Sequence, residues 1–186
     1  NSIYKLIFRM VQLLQDDREK SKMKERSEFY SMGCYGWHKG FYNDDDCENT
    51  LLHIRYSDYG EVPDDDMFAY DSVYSLLRGG CHVFALSLQK VLGYNAYIIQ
   101  GNNKVGFHAF CQIYKKGKWY YIDARGITTS FDEFMKVAGS FVSDEFTIRP
   151  IDSSDIEEWK EDDNYYEEAC AFAEAVIEKY KECYTL

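Results

Sequence analysis

The 186 residues are the size of one compact domain, and a hydrophobic share of 46% with 17% aromatics excludes wholesale disorder. A net charge of −11 repels a phosphate backbone, so nucleic-acid binding is not expected. No apolar run approaches the roughly 18 residues of a membrane span, and the two prolines, Pro63 and Pro150, exclude a Pro-rich linker.

Ile3, Leu6, Ile7, Met10, Val11 and Leu14 recur at helical spacing and predict an amphipathic first helix, within a helical N-terminal segment over 1–30. The basic run Arg18–Arg26 is interrupted by Glu19 and Glu25 and reads as a solvated helix face. Ser31–Asp66 is rich in Gly and Asp and reads as a long loop, broken by an apolar piece at Leu51–Tyr56. Asp71–Leu77 predicts a short helix that Gly79-Gly80 ends. Cys81 then opens a helical pattern with Phe84, Leu88, Val91 and Leu92, stopped by Gly93.

Ala96–Gln100 reads as a strand. Phe107–Tyr114 alternates, with Phe107, Ala109, Cys111 and Ile113 on one face and His108, Phe110, Gln112 and Tyr114 on the other. Lys116-Gly117 makes a hairpin turn, Trp119–Asp123 is the return strand, and Gly126 ends it. Ser130 and Glu133 fit a capping box for a helix to about Ala138. Beyond Pro150 the chain is acidic; from Asp144 on, fourteen acidic residues stand against four basic ones. Helical structure is expected over 152–184, with Tyr166, Ala169, Ala173, Val176, Ile177 and Tyr180 on one face.

The six cysteines form no C-x-x-C pair, so a zinc ribbon or thioredoxin-type motif is not supported. Their places in apolar periodic segments suit reduced thiols and a cytoplasmic setting. Cys111, Cys170 and Cys183 read as packing residues. Cys34, His38, Cys47 and His53 are chemically able to hold a metal, but their spacing matches no finger pattern. The triplets Asp44–Asp46 and Asp64–Asp66 lack the Gly and distal Glu of a calcium loop.

One constellation stands out. A thiol at a helix start feels the positive end of the helix dipole, which favours thiolate. Gly79-Gly80 lets the backbone turn sharply before Cys81. His108 lies on a strand able to face that helix start and shuttle a proton. Asp123 lies on the adjacent hairpin strand; pairing Tyr114 with Trp119 or its neighbour places residue 123 near residue 110, within reach of His108 given the slack of the loop. A carboxylate there fixes the imidazole tautomer and stabilises its charged form. His82 is a rival base, but adjacent helix residues diverge by about 100°.

Gly79-Gly80-Cys81-His82-Val83-Phe84-Ala85, Phe107-His108-Ala109-Phe110 and Trp119-Tyr120-Tyr121-Ile122-Asp123-Ala124-Arg125-Gly126 together resemble the transglutaminase-like branch of the papain-like cysteine protease superfamily. The resemblance covers about a third of the chain, roughly Leu76–Ala138. It implies an α+β fold of papain/transglutaminase-like type, with a nucleophile-bearing helix on a small antiparallel sheet. The chain then reads as one domain over 1–186, with its core near 71–140 and helical extensions at both ends. The implied triad is Cys81, His108 and Asp123, with no cofactor.

The implied activity is that of a thiol hydrolase working through an acyl-enzyme: a peptidase, amidase or deamidase. Transamidation is the alternative, as is an inactive protein-binding module or an effector domain on the same fold. The expected partner is a protein or peptide substrate, and the acidic surface suits a basic one. Two departures stand beside this. His82 replaces the Trp that commonly follows the nucleophile in transglutaminases, and no upstream Gln supplies an oxyanion side chain. Gln100, Gln112, Asn102 and Asn103 are the amides available for that role. Arg78-Gly79-Gly80 also resembles arylamine acetyltransferases, which share the triad but are longer.

Overall fold

The computed structural model describes residues 45–102, 106–142 and 145–186. The expected first helix, the basic run at 18–26, and Cys34, His38 and Asn103 lie outside the described residues. Within them the chain is α+β, with seven α-helices and one five-stranded antiparallel sheet. The helices are α1 (Asp45–His53), α2 (Val73–Arg78), α3 (Cys81–Leu92), α4 (Phe131–Ala138), α5 (Ser153–Asp162), α6 (Tyr166–Lys179) and α7 (Lys181–Tyr184). The strands are β1 (Asn95–Gly101), β2 (Phe107–Lys115), β3 (Lys118–Asp123), β4 (Gly126–Thr128) and β5 (Phe146–Pro150). Their spatial order is β4-β3-β2-β1-β5. No helix among the described residues is long and apolar enough to cross a membrane.

The β2–β3 hairpin sets the register. Lys116 and Gly117 both take positive φ, 52° and 77°, which makes a two-residue turn whose twist matches its strands. Tyr114 therefore pairs with Trp119 and Cys111 with Ile122, as the spacing predicted. The alternation along β2 then sorts two layers. Ala109 and Cys111 join the main core with Ala96, Ile98, Ile122, and Val83, Phe84 and Leu88 of α3. Phe110 and Ile99 face the other way, into a small second core with Phe134 and Ala138 of α4. α6 packs along α3 through its predicted apolar face, and Tyr166, Ala169, Ala173, Val176, Ile177 and Tyr180 are all buried.

Two readings are corrected. The stretch expected to be loop up to residue 66 holds α1, and Leu51 is fully buried. Gly126 is not what ends the return strand: β3 already stops at Asp123, and Gly126 opens β4 after a two-residue turn. β5, which the sequence reading missed, pairs with β1 and is largely exposed, so its residues carry little apolar periodicity. Of the capping box, the half in which Ser130 Oγ accepts from the Glu133 amide is formed, at 3.2 Å.

Gly80 shows a close approach that tolerates no side chain. A Cβ there would lie 2.7 Å from Tyr70 Cε1 and 3.1 Å from Leu76 Cδ2. Tyr70 is buried and cannot swing away, because its hydroxyl is bonded to Asp163. Gly80→Ala is therefore expected to lower stability by about 1–3 kcal/mol through overpacking. Urea unfolding followed by far-UV circular dichroism checks this; a variant as stable as the parent contradicts the contact.

Candidate active site

Cys81 owes its position to the α2–α3 corner. The amides of Gly79 and Gly80 both return to Ser75 O, at 2.8 and 2.9 Å, and Gly80 O accepts the first bond of α3 from Phe84 N at 3.1 Å. The thiol is thus the first side chain of a twelve-residue helix. The β2–β3 ladder stops at Cys111↔Ile122, so β2 continues without a partner on that side. In the gap the Ala109 N–H donates to Cys81 Sγ, at 3.4 Å. The sulfur therefore sits where the sheet splits, with only 8% of its residue exposed.

His108 precedes Ala109 and is fully buried, at 0% exposure. Phe141 lies nearly parallel to its ring, with centroids 6.0 Å apart, and Phe134 is 5.8 Å away. Its Nε2 hydrogen donates to Asp123 Oδ2 at 3.2 Å. Its Nδ1 is buried with no hydrogen-bond partner. That nitrogen is the one left for the thiol, since Nε2 is taken. The structure thus brings Cys81, His108 and Asp123 together.

Arg125, which the sequence reading did not single out, completes the site from behind. It is 2% exposed, and Asp123 is 3% exposed. Arg125 donates from Nη2 to Asp123 Oδ2 at 2.6 Å and from Nε to Oδ1 at 3.0 Å. Its backbone amide also donates to Oδ1, at 2.9 Å. The far end of the guanidinium reaches Phe134 O at 3.1 Å and Glu133 O at 3.4 Å, which ties α4 to the site. The signal was present as Asp-x-Arg across a two-residue turn, where backbone and side chain close on one carboxylate.

The electrostatics follow from this packing. Burial works against ionising Asp123, but the Arg125 charge and the bond from His108 hold its carboxyl far below the usual range. Burial likewise disfavours charge on His108, yet Asp123 on one side and the sulfur on the other raise it to about 9. Burial opposes ionisation of Cys81 too. The imidazoles of His108 and His82, with the Ala109 amide, overcome it and bring the thiol down to about 6. The two shifts run in the same sense, towards a thiolate beside an imidazolium. Cys111 is the internal control. Its Sγ donates to Ala85 O at 3.3 Å, no cation adjoins it, and burial alone pushes it well above the ordinary thiol range.

Of the other candidates, His82 adjoins the sulfur and packs its ring on Trp159, with centroids 4.6 Å apart. Asn102 is engaged with Glu145 at 3.1 Å. Gln112 is four residues along β2 from His108, about 13 Å at the rise of a strand. Gln100 lies across from Phe107 in the β1–β2 register. Asp65 binds the Met67 amide at 2.9 Å and the Tyr165 hydroxyl, clasping its loop to the C-terminal helices. Cys81, Cys111 and Cys170 are free thiols.

No protein-family model matches the chain, and no curated protein or solved structure gives a match. The geometry therefore stands by itself.

Removing the guanidinium should expose the cost of the buried carboxylate. Arg125→Met is expected to destabilise by about 3–5 kcal/mol, because it leaves an uncompensated buried charge. The double variant Asp123→Asn with Arg125→Met should lose less than the single one, since no charge remains unpaired. Equilibrium urea unfolding of both, at pH 7, decides it.

Proposed function

We propose that the protein is a thiol hydrolase of papain/transglutaminase-like type, which cleaves an amide or peptide bond through an acyl-enzyme. A single observation carries this reading: a helix-start thiol drawn well below its ordinary pKa beside a buried, carboxylate-backed imidazole. Cys81 Sγ attacks the acyl carbon, and the carbonyl electron pair moves onto oxygen. The first-turn amides of α3, which have no intrahelical acceptors, suit that oxyanion.

Collapse breaks the carbon–nitrogen bond, and the His108 imidazolium gives its proton to the leaving amine. The now neutral His108 takes a proton from water as it attacks the thioester. The acid departs and the thiolate–imidazolium pair is restored. Asp123 takes no proton in this cycle, because Arg125 holds it ionised. Hydrolysis is preferred over transamidation because water needs no second-substrate site. The net charge of −11 favours a basic peptide as substrate.

The pH dependence follows in sign. The thiol ionises as pH rises through about 6, so reactivity switches on there. His108 loses its proton as pH rises through about 9, so leaving-group protonation fails there. Turnover should therefore be bell-shaped between those limits. Iodoacetamide alkylation of Cys81, read by mass spectrometry across pH, tests the pair directly. The rate should reach half its plateau near pH 6 in the parent. In His108→Ala it should shift to about 8.5 or higher. A parent midpoint already at the ordinary thiol value, unmoved by the substitution, rejects the reading.

A further inference from the structure

One polar group at the site has no place in the scheme above. His82 follows the nucleophile in the first turn of α3 and is 9% exposed. Its Nδ1 is shut off from solvent and has no hydrogen-bond partner. Leaving such a group unsatisfied costs stability, so the fold keeps an expensive ring where a phenyl would pack.

The ring is also held in place. Trp159 of α5 lies 4.6 Å away, Phe107 of β2 6.2 Å edge-on, and Tyr166 of α6 6.3 Å in near-parallel stacking. Phe107 and Trp159 stack on each other at 5.4 Å. Three separate elements thus fix one imidazole against the flank of Cys81, whose sulfur already feels it. Among the described candidate amides, Asn102 is bonded to Glu145 and Gln112 lies well along β2.

We propose that His82 is a further catalytic residue, whose Nε2–H, on the ring nitrogen that is not shut off, donates to the oxyanion formed when Cys81 attacks an acyl carbon. The inference rests on the reading of Cys81 as nucleophile. An imidazole carries an N–H donor in either protonation state, which this role requires. As the carbon–sulfur bond forms, the carbonyl π pair moves onto oxygen and the His82 hydrogen bond strengthens. No proton passes from His82. When the pair returns, the bond to the leaving group breaks, and His108 supplies the proton. A fixed donor aimed at developing charge loses nothing to reorganisation during the step.

Two probes separate this role from simple thiolate activation. Iodoacetamide alkylates the thiolate without forming an oxyanion; p-nitrophenyl acetate acylates it through one. Dividing each variant's acylation rate by its own alkylation rate at the same pH removes differences in thiolate content. In His82→Phe, which keeps the ring shape without a donor, this ratio should fall by about 10- to 1000-fold. In His82→Gln, which keeps an N–H, it should stay within about 3-fold, since the donor survives. Far-UV circular dichroism checks folding, and His82→Leu carries the same expectation as His82→Phe should that variant not fold. A wild-type ratio in the non-donor variants overturns the proposal, as does an equal fall in His82→Gln. Failure of the nucleophile reading shows separately, as ordinary alkylation in the parent that ignores His108→Ala, and takes this proposal with it.

Discussion

The buried pair of Asp123 and Arg125 is the constraint from which the rest of the site follows. A carboxylate this enclosed would take up a proton if left alone. Arg125 prevents that with two side-chain bonds and a backbone amide. An ionised Asp123 in turn makes a charged His108 tolerable, and a charged His108 makes a thiolate tolerable. Four charges then sit together and sum to zero, which is how a low-dielectric interior accommodates them. The same guanidinium reaches the carbonyls of α4, so the second layer of the fold and the polarity of the site share one anchor.

Cys81 and Cys111 show what context adds to a residue type. Both thiols are buried within the main core. One lies at a helix start beside imidazoles and is drawn down; the other, enclosed with no imidazole beside it, is pushed up by burial. Sulfur chemistry here is decided by which end of a dipole, and which ring, the fold brings to the atom.

Much of this was legible in the sequence where local rules govern. The Lys116-Gly117 turn determines the hairpin register, and the register brings Asp123 within reach of His108. Gly79-Gly80 marks the start of α3, and the spacing of Tyr166 through Tyr180 marks the buried face of α6. Long-range contacts were not legible. Nothing local says that Trp159 lies on His82, or that Tyr70 leans on Gly80 while bonded to Asp163. β5 escaped because an edge strand with little burial carries no alternation to read. α1 escaped because its Asp-rich start looks like loop, although Leu51 and Cys47 anchor it in the core.

The cover of α3 has a consequence for the order in which the protein is made. Cys81, His108 and Asp123 all leave the ribosome before α5, α6 and α7. Yet α6 closes over α3, Trp159 and Tyr166 seat the ring beside the sulfur, and the Tyr184 hydroxyl closes onto Ala124 O next to Asp123. A nascent chain that carries all three residues therefore still lacks the packing of α5, α6 and α7 that encloses them, and the surroundings of the sulfur are complete only after those helices have docked.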